Sequence, residues 1–301
     1  ENNPNSAYMR TSYSALETFR QCPQKFKFQN IDKIKTPKSK EAVFGTLIHN
    51  SLKFLFSRDP LYPSLDEVIT NFRDSWHASD IANMTEDERS MYLTQGENLL
   101  KRFYTKNQPW NFNVVDMESR FELVITDPKT GTMHTIVGIM DRIDKPTDNT
   151  FEIIDYKTSR KMKSQESVDN DLQLSLYHLG LLRRWPHIPA NTIALSLYYV
   201  KHNEKITTAR KKEDAERVEE QVLATIRDIE TRTTQNDFPP QPSVLCDWCE
   251  YKGMCPAWKF LYSSTQKTVS SKEDIEKTIK EYFALKKQGT ATTKRLGELQ
   301  T

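Results

Sequence analysis

The run Phe151-Glu152-Ile153-Ile154-Asp155-Tyr156-Lys157-Thr158 sets an acid and an amine two positions apart among β-branched and aromatic side chains. Side chains alternate along a strand, so Ile153, Asp155 and Lys157 share one face while Ile154 and Tyr156 share the other. Charges on an apolar strand face are costly unless they are paired or bind a metal. A second acid, Asp141, lies in Gly138-Ile139-Met140-Asp141-Arg142-Ile143-Asp144. A hairpin looping through Thr147, Asp148 and Asn149 sets position 143 against 153 and 141 against 155, with opposed Cβ atoms about 4.5–5.5 Å apart. Two carboxylates so placed can share one divalent cation, at about 2.1 Å per Mg–O bond. An ordinary ion pair at the sheet rim accounts equally well for Asp155 and Lys157 taken alone.

The four cysteines form the second constellation. Cys246-Asp-Trp-Cys249 and Cys255 need a fourth partner, and Cys22, far upstream, is the one cysteine left. Four thiolates suit tetrahedral Zn²⁺ or an iron–sulfur cluster. Zinc ribbons normally bring two close pairs, and a thioredoxin-like Cys-x-x-Cys needs a strand-to-helix setting that this segment lacks.

The elements that must carry these residues can be read from pattern. Ser14 and Glu17 match a capping box for a first helix, and Pro23 breaks that helix or opens the next. Phe44, Ile48, Leu52 and Leu55 recur at helical spacing over 41–56, a helix that carries His49. Residues 59–112 read as a helical lid or insertion, with a stripe of Leu65, Val68, Ile69, Phe72 and Trp76 and a Thr85/Glu88 capping box. The period then changes. Strands at 114–125, 133–143 and 151–158, separated by turn-forming clusters, make an antiparallel meander. A helix over 169–184, a strand at 192–200, a partner strand at 205–210 and a helix over 211–231 follow. This order implies an α/β fold, a mixed sheet with helices on its faces. Residues 1–262 read as one domain, with the cysteine segment at 246–255; a polar linker and a helical tail with Ile275, Ile279, Tyr282 and Leu285 occupy 263–301.

Composition sets the outer bounds. The chain has 301 residues, 37% hydrophobic and 28% charged, which describes a chain with a sizeable core and excludes global disorder. No run approaches the ~20 apolar residues of a membrane span, and the opening residues Glu1-Asn2-Asn3-Pro4 lack the pattern of a signal peptide. An intracellular setting such as the cytoplasm is expected, with reduced or metal-bound thiols. Net charge is only +2, but its distribution is uneven: seven basic residues and one acid lie between Arg20 and Lys40. Further basic runs comprise Arg160, Lys161 and Lys163, then Lys201, Lys205, Arg210, Lys211 and Lys212. Arg20, Lys25, Lys27, Arg160, Lys161 and Lys163 are the candidate nucleic-acid contacts, although such runs are commonly just solvated faces.

Taken together, Asp141 and Asp155-Tyr156-Lys157 resemble the PD-(D/E)XK nuclease superfamily, in its RecB-like branch. Gly45-Thr46-Leu47-Ile48-His49 resembles that branch's histidine motif, and Gln173-Leu-Ser-Leu-Tyr177 its Q-x-x-x-Y motif. Ser12-Tyr13-Ser14 through Cys22-Pro23-Gln24-Lys25-Phe26 is similar to its amino-terminal signature. The resemblance implies a restriction-endonuclease-like core that hydrolyses DNA with Mg²⁺ or Mn²⁺ held by His49, Asp141, Asp155 and the Tyr156 carbonyl. It further implies that Lys157 steadies the attacking water or the phosphorane, positioned by Gln173 and Tyr177. One early and three late cysteines resemble the 4Fe–4S members of the branch, among them CRISPR-associated RecB-like nucleases, the AddB nuclease domain and exonuclease V. Cys22, Cys246, Cys249 and Cys255 would then hold a cluster that staples the two ends, worth about 5 kcal/mol on loop-closure entropy, with zinc as the alternative. Exonuclease action on single-stranded DNA is the implied activity, with a helicase or CRISPR-adaptation protein as a possible partner. A non-catalytic nucleic-acid-binding module in a repair or CRISPR-adaptation complex is the competing expectation.

Overall fold

The computed structural model describes residues 8–57, 61–79, 81, 84–108, 112–211, 213–261 and 280. The expected tail helix around Ile275 to Leu285 lies outside the described residues, as does Lys212. The chain divides into two compact units, Glu1–Tyr251 and Lys252–Thr301. The first carries a six-stranded sheet: β1 (Arg10–Ser12), β2 (Val114–Thr126), β3 (Met133–Thr147), β4 (Thr150–Lys157), β5 (Ile193–Tyr199) and β6 (Glu204–Ala209). Its helices are α1 (Tyr13–Gln21), α2 (Pro23–Phe26), α3 (Lys40–Phe56), α4 (Leu65–His77), α5 (Glu86–Lys106), α6 (Gln165–Asp169), α7 (Leu172–Arg184) and α8 (Asp214–Gln235).

The sheet is mixed, as expected. β2 runs antiparallel to β3 from Val114–Asp144 to Thr126–Met133 and so occupies one whole edge of β3. The other edge is shared: β1 pairs parallel with Thr135 to Val137, and β4 pairs antiparallel from Arg142–Ile154 to Thr147–Thr150. Between those two neighbours, Gly138 to Asp141 has no registered partner on that edge. β4 continues the sheet by parallel pairing with β5 over its full length, and β6 closes it antiparallel to β5. The expected 143–153 pairing is present, and the registered ladder stops one pair short of 141–155.

Each face of this sheet is covered by helices. Ile153 of β4 and Leu195, Leu197 and Tyr199 of β5 join α1, α7 and α8 in one core. Ile154 and Tyr156 join Tyr198, Val200 and α3, α4 and α5 in a second. The alternation expected for β4 is thus realised, and helices α4 and α5 form a packed layer against the sheet through Phe72, Trp76, Leu99 and Phe103, all at most 2% exposed.

Local signals explain most helix ends. Thr85 and Glu88 form the expected capping box of α5, and Pro23 opens α2 at its first turn. The Ser14/Glu17 box is not formed. Ser12 caps α1 through the Ala15 N–H at 3.3 Å, and Ser14 Oγ instead lies 3.0 Å from Ser12 Oγ. The helix expected over 169–184 is two pieces: Asp171 caps α7 by accepting the Leu174 N–H at 3.0 Å, which separates it from the short α6.

Two glycines set how closely α7 meets the sheet. Gly138 on β3 lies opposite Phe121 on β2, and Gly180 on α7 faces the same ring. A methyl group at either position would overlap the Phe121 ring. Phe121 meets Tyr177 edge-on at 5.8 Å, so this packing also seats the Q-x-x-x-Y residues. Gly180→Ala is expected to destabilise the protein by about 1–3 kcal/mol through overpacking. An unchanged urea midpoint would show that Phe121 yields without cost.

Candidate active site

The site forms where the ladder between β3 and β4 opens. Asp141, just past the last registered pair, accepts the Tyr156 N–H through Oδ2 at 2.8 Å, replacing a backbone bond with a side-chain one. Its Oδ1 lies 3.4 Å from His49 Nδ1 on α3. Burial works against a charged His49, but the hydrogen bond and charge of Asp141 outweigh it and raise the imidazole above its ordinary value. Gly45, one turn earlier on α3, lets the helix approach the end of β4: a Cβ there would stand 3.2 Å from Thr158 Oγ1.

Asp155 and Lys157 point to the α7 side, as their alternation predicts. Lys157 Nζ donates to Gln173 Oε1 at 2.8 Å, and Gln173 Nε2 donates to Tyr177 OH at 2.9 Å. Tyr177 OH in turn donates to Asp155 Oδ1 at 3.2 Å. Lys157 Nζ closes the circuit 2.7 Å from Asp155 Oδ2. That last approach is an ion pair lying off hydrogen-bond direction, so Oδ2 is buried with no hydrogen bond. Burial raises the Asp155 carboxyl above its ordinary range, with Lys157 opposing and the charge of Asp141 adding to the rise. For Lys157, burial works to lower the ammonium, yet the charge and close approach of the Asp155 carboxylate raise it. The Tyr177 hydroxyl is raised as well, first by burial and then by Asp155 and Asp141.

The structure therefore brings His49, Asp141, Asp155, Tyr156, Lys157, Gln173 and Tyr177 together. The basic candidates fare differently. Arg20 donates to Thr225 Oγ1 and the Gln221 carbonyl, Lys25 pairs with Glu250 at 3.1 Å, and Lys27 pairs with Asp32 at 3.0 Å. Lys163 pairs with Asp171 at 2.5 Å, whereas Arg160 and Lys161 are exposed beside the end of β4.

Several supporting residues carry weaker sequence signals. Arg210 is buried and donates to the Val168 and Asp171 carbonyls and to Ser175 Oγ, tying the start of α7 to the strand side of the molecule. Glu118 on β2 would oppose Asp141 in register but adopts φ 49°, a left-handed conformation that costs a non-glycine residue about 1–2 kcal/mol. Its carboxylate pairs with Lys53, one turn beyond His49 on α3. No sequence pattern marks Glu118. Lys53 follows His49 by four residues, a spacing that places both on one helix face.

Two carboxylates and an imidazole suit a hard divalent ion, and the buried Asp155 Oδ2 is an acceptor without a hydrogen bond. The residues fit Mg²⁺ or Mn²⁺ by chemistry. Among the described residues, no three His, Cys, Asp or Glu side chains already stand in a metal-holding group, and Lys157 supplies the positive charge against Asp155.

The four cysteines are free thiols. Cys22 Sγ accepts the Gln241 N–H at 3.5 Å and Cys246 Sγ the Ser243 N–H at 3.3 Å. Burial raises the Cys249 thiol, and the nearby Cys22 adds to the rise. The soft donor set fits iron–sulfur or zinc chemistry. Residues 22–34 and 238–251 also meet directly, through Phe26 on Phe238, Phe28 on Tyr251, and a 2.9 Å bond from Tyr251 OH to the Ile34 carbonyl.

Tyr177→Phe would leave Gln173 Nε2 and Asp155 Oδ1 without their shared hydroxyl, at a stability cost of about 1–3 kcal/mol. Equilibrium urea unfolding reads this directly. A midpoint equal to that of the unmodified protein would mean that the circuit is not closed through the hydroxyl.

A search of curated protein sequences finds no match. Among solved structures, the crystal structure of SSO0001 is 14% identical, with 86% of this chain and 89% of that one covered and a TM-score of 0.38. A provisionally named exonuclease from Eubacterium rectale is 11% identical, with 81% and 87% covered and a TM-score of 0.47. No helix among the described residues is long and apolar enough to cross a membrane. The sequence profile of the PD-(D/E)XK nuclease superfamily matches residues 10–256, most of the chain, and the protein belongs to that superfamily.

Proposed function

We propose that this protein is a metal-dependent deoxyribonuclease that hydrolyses phosphodiester bonds at single-stranded DNA ends, in the manner of the RecB-like branch. The observation that carries the reading is the closed Asp155–Tyr177–Gln173–Lys157 circuit beside the His49–Asp141 pair. A surface ion pair has no need of a half-buried glutamine and a buried tyrosine as further partners. In this reading His49, Asp141, Asp155 and the Tyr156 carbonyl hold the metal, which when bound offsets charge on the scissile phosphate and favours a nucleophilic water. Asp141 is oriented for the task by the Tyr156 N–H, and His49 by Asp141. Lys157, a three-proton donor, orients the water and steadies the developing charge on phosphorus oxygens. Gln173 holds Lys157 from a second side, and Tyr177 holds Gln173. A helicase or CRISPR-adaptation partner and an intracellular, DNA-containing compartment belong to the same proposal.

Asp155→Ala and Lys157→Ala should each abolish Mg²⁺- or Mn²⁺-dependent loss of end-labelled single-stranded DNA, by about 10³-fold or more for the loss of a group acting on transition-state charge. Circular dichroism should show the fold intact. Blocked ends and duplex substrates in the same assay test exonuclease action and strand preference. Full activity in either variant overturns the catalytic assignment.

The cysteine set enters as a second component of the proposal: Cys22, Cys246, Cys249 and Cys255 hold a 4Fe–4S cluster that ties the chain's early and late segments. Four cysteines outside any disulfide, with N–H donors directed at the Cys22 and Cys246 sulfurs, support it. Anaerobically purified protein should be brown, with broad absorbance near ~400 nm that Cys22→Ser removes. Colourless protein with stoichiometric zinc would reject the cluster.

A further inference from the structure

A second feature opens beside Lys157. A cavity of about 800 Å³ is walled by the start of α3 (Glu41), by α5 (Met91, Tyr92) and by the segments leaving β4 and β5 (Thr158, Arg160, Lys201). Thr158 directly follows Lys157 and lies under Gly45, so the cavity adjoins the candidate active site through that residue. Two basic runs that are separate in sequence meet here.

The backbone that carries these cations is tied down. The Arg160 carbonyl accepts a hydrogen bond from the His202 ring at 2.7 Å, the Lys201 carbonyl accepts one from Arg102 at 3.3 Å, and the Val200 N–H donates to the Lys157 carbonyl at 3.0 Å. These bonds tie the exit of β4 to the turn after β5. Lys201 is half-buried, with Nζ 5.9 Å from the centre of the Phe44 ring. Burial and then the charge of Arg160 push its ammonium below the ordinary value, with the charge of Glu41 opposing. The opposing acid, Glu41, is engaged elsewhere: it accepts from Tyr92 OH at 3.0 Å. Tyr92 is itself held flat against Trp76, with centroids 6.2 Å apart and planes 10° apart. Met91, on the same wall, is 58% exposed.

We propose that this groove is the track for the single DNA strand next to the scissile position, with Arg160 and Lys201 taking one backbone phosphate and Tyr92 and Met91 forming a wall against which a neighbouring base rests. The inference rests on the nuclease reading and adds the surface that would feed that site. A like-charged pair beside an aromatic wall matches single-strand binding, in which the backbone follows cations and bases stack on rings. Helix α5 thus contributes to substrate contact as well as to packing.

The test is fluorescence anisotropy with an end-labelled single-stranded DNA oligonucleotide, with Ca²⁺ in place of Mg²⁺ to limit cleavage. The Arg160→Gln/Lys201→Gln double variant should bind about tenfold or more weakly at low salt. The slope of log K against log[salt] should become shallower by about 0.7, for the one single-strand phosphate no longer neutralised. Lys201→Arg should keep the slope, and Glu41→Gln should bind more tightly. Thermal melting of each variant shows that the fold persists. A double variant with unchanged affinity and slope overturns the groove, whatever its nuclease activity. Retained Mg²⁺-dependent cleavage by that variant would leave the nuclease reading standing, whereas unmodified protein that neither binds nor cleaves the DNA would remove both.

Discussion

Burying the Asp155 carboxylate is the physical problem around which this structure is organised. An isolated buried carboxylate is expensive, and breaking a buried pair typically costs several kcal/mol because one charge is left uncompensated. Here the compensation comes from three side chains whose roles have only one consistent assignment. An ammonium can only donate, so Gln173 must present its carbonyl oxygen to Lys157. Its amide nitrogen must then donate to Tyr177, leaving that hydroxyl to donate to Asp155. Every proton direction in the circuit follows from the charge on Lys157. The one acceptor left without a hydrogen bond is Asp155 Oδ2, on the carboxylate at the centre of the arrangement.

The sheet creates the opening this circuit needs. β3 shares one edge between β1 and β4, and in the gap its residues 138–141 are released from the ladder. Asp141 then satisfies the backbone of β4 with its side chain, which couples the acid's orientation to the strand that carries the other acid. β4 is not loosened by this, because β5 pairs with it through Lys157 on the far side. On the helical side, α7 can come close enough for Gln173 and Tyr177 to reach β4 because Gly138 and Gly180 leave room for Phe121.

Much of this was legible in the sequence because it depends on short periods. Strand alternation alone placed Asp155 and Lys157 opposite to Tyr156, and a loop through Thr147, Asp148 and Asn149 led to the 143–153 pairing, which the structure reaches through a Thr147–Thr150 pair and a register shift between Asp144 and Thr147. Four-residue spacing put Gln173 and Tyr177 on one face of α7. What the sequence concealed depends on contacts between distant segments. The competition between Ser12 and Ser14 for the cap of α1 was decided by where β1 ends. That Arg20 is spent on Thr225 and that Lys25 and Lys27 are paired with Glu250 and Asp32 could not be read from a basic run, since two of those partners lie more than two hundred residues away. The left-handed backbone at Glu118 carries no local signal, because glutamate is not a residue that favours it.

The helices between α3 and β2 illustrate how far position can mislead about role. A stretch without chemical motifs between two motif-bearing segments suggests a detachable cover. Yet Ile154 and Tyr156 of β4, with Tyr198 and Val200 of β5, bury their side chains against the layer that includes α4 and α5. Tyr156 links the two sides: its N–H holds Asp141, its ring meets His49 edge-on at 6.1 Å, and its hydroxyl accepts from Arg142 at 3.3 Å. Arg142 in turn is buried in a two-bond pair with Asp144, at 2.6 and 2.5 Å, with its guanidinium 4.0 Å from the Phe56 ring centre. Removing the layer would expose that ion pair and the apolar face of the strand that carries Asp155 and Lys157. The alternation that turns those two residues toward α7 turns their neighbours toward the helical layer, so the geometry of the acids is set from both faces of the sheet at once.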